Sequence, residues 1–114
     1  MKAILIGAGC AAALLAAPAG AQDANAARNL ASTCFTCHGN DGRSVGGVPP
    51  ALAGRSKAEL LQALKDFKDG KRPATIMHQH AKGYTDQQLD AIASYFAGVK
   101  AGPAEPAPAA RARF

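Results

Sequence analysis

The apolar positions of this chain fall into helical spacing at two places. Leu60, Leu61, Leu64 and Phe67 recur at helical intervals, and so do Leu89, Ile92, Ala93 and Phe96, so each set lines one face of a 3.6-residue period. Each run opens on a capping box, Ser56-Lys57-Ala58-Glu59 before the first and Thr85-Asp86-Gln87-Gln88 before the second. These signals predict helices over 57–68, stopping near Gly70, and over 86–97, ending at Gly98. A further helix over 23–37 is read from its alanine content, with Leu30 as its main apolar contact. Gly39-Asn40-Asp41-Gly42 is turn chemistry that ends it. Residues 43–54 are rich in Gly and Pro without any period, which makes them a loop. The expected fold is all-α, with three to four helices. Ala27 and Ala31 share one face of the first helix, and Tyr95 and Phe96 supply bulk on the last, so the two terminal helices are expected to cross there.

The N-terminus carries a different pattern. Lys2 gives a positive start, residues 3–17 are one apolar run, and Ala19-Gly20-Ala21 is a small-x-small cleavage site. Residues 1–21 therefore read as a signal peptide cleaved near Ala21, which places the mature chain in the periplasm. The run is too short to span a membrane, and no other stretch approaches the length required. Residues 22–100 form one small domain. From 101 to 114 the chain is almost wholly Ala, Pro, Gly and Arg, too poor in apolar side chains for a core, and is expected to be a disordered tail.

Composition adds two constraints. The domain has no Trp and only four Phe and two Tyr in the whole sequence, a thin load for a chain of this size, which usually needs a staple or a prosthetic group. The formal charge of +5 favours an acidic partner surface. Nucleic acid is not expected as a partner, because the Lys and Arg residues are scattered and the chain is exported.

Cys34-Phe35-Thr36-Cys37-His38 is the stretch that carries chemistry. A C-x-x-C-H sequence reads as covalent attachment of a c-type haem. Two thiols three residues apart lie on one helix face and can each add to a haem vinyl group, and the following imidazole falls where it can ligate the iron. A thioredoxin-like pair would sit in a βαβ pattern, which is absent, and a zinc site would need a second Cys pair. Phe35 and Thr36 are expected beside the exposed haem edge. A metal-bound His normally hands its other ring proton to an acceptor; the carbonyl of Pro50, on the stiff Pro49-Pro50 loop, is the candidate, with Leu52 the large apolar side chain nearby. For the second axial position the residues leave four candidates open: Met77, His78, His80 and Lys82.

Taken together, Cys34-x-x-Cys-His38, Pro50-x-Leu52, Phe67-x-x-Gly70-x-Arg72 before Met77, and the helix from Leu89 to Phe96 resemble the class I c-type cytochromes. Within that group, Thr75-Ile76-Met77 leading into Ala81-Lys82-Gly83-Tyr84 is similar to the haem subunits of flavocytochrome c sulfide dehydrogenases. The resemblance implies a class I cytochrome c fold around one covalent haem c, with His38 and Met77 on the iron and the Pro50 carbonyl behind His38. It also implies an FAD-containing sulfide dehydrogenase flavoprotein as partner, with other redox proteins as acceptors. On this reading the chain has no catalytic site of its own and accepts electrons one at a time. Two other functions fit the same residues: a free-diffusing cytochrome serving an oxidase or photosynthetic centre, and a haem-based sensor or catalytic haem protein in which Met77 is off the iron.

Overall fold

Alanine, the strongest helix former, fills the start of the first helix. The computed structural model describes the backbone of residues 19–102 and the side chains of 25–102. Its helices are α1 (Ala19–His38), α2 (Lys57–Lys68), α3 (Met77–Lys82) and α4 (Asp86–Gly98), with a 3-10 turn at Asn40–Gly42. Among the described residues there is no strand. Residues 1–18 and 103–114, which hold most of the expected leader and tail, lie outside the described residues. Helix α1 begins at Ala19, ahead of the expected start at residue 23. The alanines continue back through that stretch.

The caps follow the sequence closely at α4 and only half-way at α2. At α4, the Gln88 N–H donates to Thr85 Oγ1 (3.2 Å) and the Thr85 N–H donates to Gln88 Oε1 (2.9 Å), completing the box. At α2, Ser56 Oγ accepts from the Glu59 N–H at 3.5 Å. The Glu59 carboxylate instead pairs with Arg55, because a charge-assisted bond to guanidinium is stronger than one to a neutral amide. Helix α3 falls in a stretch whose sequence assigned no element. It has only six residues and no side-chain cap at Ile76, so its place is set by packing on α2, with Ala81 buried.

The core forms where α1 crosses α4. Ala31, Ala93 and Phe96 are buried there with Ile92 and Leu60. The terminal helices cross as expected, with Ala31 and Phe96 buried at the crossing; Ala93 of α4 takes part as well, and Ala27 is not among the buried residues. Phe35 packs beside this crossing against Tyr95 and Phe96, with ring centroids 6.2 and 6.1 Å apart. The turn after α1 is tied to the same ring. Gly42 has φ +75°, and a Cβ there would lie 2.7 Å from the Phe96 ring and 3.1 Å from Leu52 Cβ. Its carbonyl accepts from the N–H groups of Leu52 (2.8 Å) and Ala53 (3.1 Å), closing the loop onto the turn.

Three polar ties hold the periphery. The Tyr95 hydroxyl donates to Asp41 Oδ1 (2.6 Å), with Arg28 and Arg43 each 3.6 Å from that carboxylate. Lys68 Nζ donates to the Tyr84 carbonyl and to Asp86 Oδ1, both at 2.8 Å, and holds the Asp86 carboxyl below the usual carboxylate range. Arg43 Nε donates to the Lys100 carbonyl (3.0 Å), and Ala101 lies against Gly54, so the chain stays on the domain for the first residues past α4.

Two outcomes follow. Gly42→Ala adds left-handed strain and a clash with Phe96 and lowers the stability of the fold by about 2–4 kcal/mol. Gly46→Ala, at φ +86° with nothing near the new Cβ, isolates the strain alone and costs about 1–2 kcal/mol; denaturant midpoints compare the two. Burial, and then the Asp41 carboxylate that the phenol donates to, push the Tyr95 hydroxyl above its usual range. A raised value stabilises the fold below about pH 10, and that contribution fades as pH rises through the folded value. The stability gap between wild type and Tyr95→Phe is therefore about 1–2 kcal/mol at neutral pH and narrows above about pH 10 in urea titrations.

Candidate haem site

Cys34, Cys37 and His38 occupy the last turns of α1. Their i, i+3, i+4 spacing puts them on one helix face, and all three line a single cavity of about 370 Å³. Phe35 and Thr36 do not line it. A helix turns each of those residues away from the face their neighbours share, and Phe35 packs on Tyr95 and Phe96. Both thiols are free. Burial pushes the Cys34 thiol up from its ordinary value, an effect the neighbouring Thr33 hydroxyl partly offsets.

His38 is the one buried polar residue of the described core, 7% exposed. Gly39, at φ +83°, turns the chain sharply behind it, in a space where a Cβ would meet the Arg43 carbonyl at 2.4 Å. The loop then returns so that His38 Nδ1 donates to the Pro50 carbonyl at 2.7 Å. With that proton committed, Nε2 carries the lone pair that a metal can use. Ser44 donates to the Pro49 carbonyl and stiffens the same loop.

The rest of the lining comes from every helix. Leu52, Leu64, Phe67 and Ile92 are among its apolar residues, and Val48 and Ile76 stand at its rim, 82% and 55% exposed. Of the four residues that could ligate from the far segment, Met77 and His80 line the cavity and His78 and Lys82 do not. One turn of α3 separates Met77 from His80, which is why they share a face. Arg55 and Arg72 bring cations to the lining; Arg55 is paired with Glu59, and Arg72 lies 5.1 Å over the Phe67 ring. Thr33 and Tyr84 also line it and are hydrogen-bonded to each other at 2.6 Å. Neither that pair nor the side of α3 on which His80 falls was legible in the sequence, because each depends on where α3 is placed.

These donors fit a haem. Two free thiols and an imidazole share one face, the imidazole's second nitrogen is already held, and a thioether lies in the same mainly apolar enclosure. The volume is within the range of about 300–1,000 Å³ usual for cofactor-sized ligands.

Comparison with known proteins agrees. Residues 24–100 match the cytochrome c family. The chain is 46% identical over 67 residues to the cytochrome subunit of sulfide dehydrogenase from Chlorobaculum tepidum, covering 59% of this chain and 60% of that protein. It is 42% identical over 88 residues to cytochrome c4 of Pseudomonas aeruginosa, covering 75% of this chain and 44% of that one. The chain thus spans about half the length of these relatives. Among solved structures, cytochrome c4 of Acidithiobacillus ferrooxidans superimposes with a TM-score of 0.59 at 36% identity, over 71% of this chain and 50% of that one. The chain belongs to the cytochrome c family, and it is an electron-transfer protein that carries a covalently attached haem c.

Proposed function

We propose that this chain is the electron-accepting haem subunit of a periplasmic, sulfide-oxidising flavoprotein complex. The observation that carries the reading is the 46% identity to a cytochrome subunit of sulfide dehydrogenase. The stretch from Thr75 to Tyr84, which carries the narrower family resemblance, supports it, and the leader pattern of residues 1–21 supports an exported location.

In this reading the tasks of holding a haem are divided among the residues at the cavity. The Cys34 and Cys37 thiols form the two thioether links. His38 Nε2 and the Met77 sulfur bind the iron, and the Pro50 carbonyl fixes the His38 ring and its tautomer through Nδ1. Arg55 and Arg72, the two arginines of the lining, would supply positive charge to the carboxylates of a bound haem. Leu52, Leu64 and Phe67 exclude water, which favours the less charged reduced state. The haem supplies a one-electron couple, and the polypeptide sets its potential and access. Bond-making chemistry on sulfide belongs to the FAD-containing partner, so the chain needs no catalytic residue.

Two measurements test this. Met77→Ala abolishes the sulfur–iron charge-transfer band of the oxidised protein, lowers the reduction potential and lets the reduced protein bind carbon monoxide rapidly. A spectrum unchanged by the substitution removes Met77 from the iron and favours the sensor reading. In stopped flow, the oxidised protein mixed with an FAD-containing sulfide dehydrogenase subunit and sulfide is reduced far faster than with sulfide alone. Equal rates with and without the flavoprotein return the chain to a free-diffusing carrier.

A further inference from the structure

The segment that bears Met77 is the least self-sufficient element of the fold. At six residues with no side-chain cap, α3 is far below the length at which a helix holds itself in water. Only Ala81 within it is buried. Its position relative to α1, which bears Cys34, Cys37 and His38, must therefore come from tertiary contacts, and the residue just past its C-cap provides them. Tyr84 is fixed at both ends. Its backbone carbonyl accepts from Lys68 Nζ (2.8 Å), and Lys68 is braced in turn by Asp86 (2.8 Å). Its phenol is hydrogen-bonded to Thr33 Oγ1 at 2.6 Å, a contact between residues 51 apart in sequence. The Thr33 hydroxyl also lies 3.3 Å from the Leu30 carbonyl of its own helix. Thr33 immediately precedes Cys34, its oxygen 3.9 Å from the Cys34 sulfur. The bond thus joins the two walls of the cavity, and both its residues line that cavity.

We infer that Tyr84 and Thr33 form a strap that positions the Met77 segment against the haem-attachment helix and so sets how firmly Met77 stays on the iron. Neither residue touches the iron; both are positioning residues. Without the bond, α3 keeps its packing on α2 and loses the hydrogen bond that ties the residue after its C-cap to α1, which frees Met77 to move away from the ring. The inference rests on the Met77 ligation proposed above and adds to it the residue pair that holds that ligation.

Imidazole, which competes with Met77 for the oxidised iron, is the probe. Tyr84→Phe and Thr33→Val each remove the bond with little change in shape. Each raises the imidazole affinity of the oxidised haem protein about fivefold, the effect of losing one hydrogen bond. The double variant gains no more than either single change, because both break the same bond. Lys57→Ala removes a different tie, the Lys57–Asp90 pair between α2 and α4 (2.9 Å), and leaves imidazole affinity unchanged, which separates a strap on α3 from general loosening. Unchanged affinity in both single variants, or effects that multiply in the double variant, overturns the strap while the ligation reading stands. Absence of the sulfur–iron charge-transfer band from the wild-type protein removes the ligation reading itself, and the strap with it.

Discussion

Everything in this fold is referred to the place where α1 lies across α4. Ala31 and Ala93 are fully buried there, and Phe96 fills the angle between the helices and presses on Gly42. Small residues bring the backbones together, and one large ring supplies the contact area; truncating such a ring costs about 3–5 kcal/mol. The crossing also orients α1, and α1 carries both thiols and the imidazole. A rotation of α1 by one residue would turn Cys34, Cys37 and His38 out of the cavity together.

The core and the cavity are one packing problem. Leu60, Ile92 and Phe96 belong to the hydrophobic cluster and also line the cavity. This explains how a chain without Trp and with few other aromatic residues makes a domain: part of its apolar surface is shaped for a porphyrin. The polar groups follow the same economy. The only buried polar residue of the described core is His38, and its second nitrogen is satisfied by a carbonyl on a loop stiffened by two prolines.

The short α3 follows from this arrangement. Its residues Met77, His80 and Ala81 all line the cavity, so most of what it could bury is directed at the haem space and little remains to hold it against protein. Its stability is borrowed from α2, from Lys68 and from the contact of Tyr84 with α1. The segment bearing Met77 thus depends on distant partners, while the segment bearing His38 is part of the helix that makes the crossing.

What the sequence determined by itself is what short-range chemistry encodes. The C-x-x-C-H spacing named the cofactor, the Leu and Phe periods placed α2 and α4, and Thr85-x-x-Gln88 placed a complete cap, because each of these is settled within a few residues. The acceptor for His38 was also legible, since a metal-bound imidazole needs one and Pro50 stands on the stiffest loop nearby. Tertiary structure decided the rest. It divided the four candidate ligands by bringing Met77 and His80 to the cavity and leaving His78 and Lys82 off it. It turned Phe35 onto Tyr95, drew Glu59 to Arg55, and formed α3 without a local signal. It also paired Thr33 with Tyr84 and Asp41 with Tyr95, across 51 and 54 residues. Local periodicity holds no information about such partners; they meet only once the crossing of α1 and α4 has fixed where each helix points.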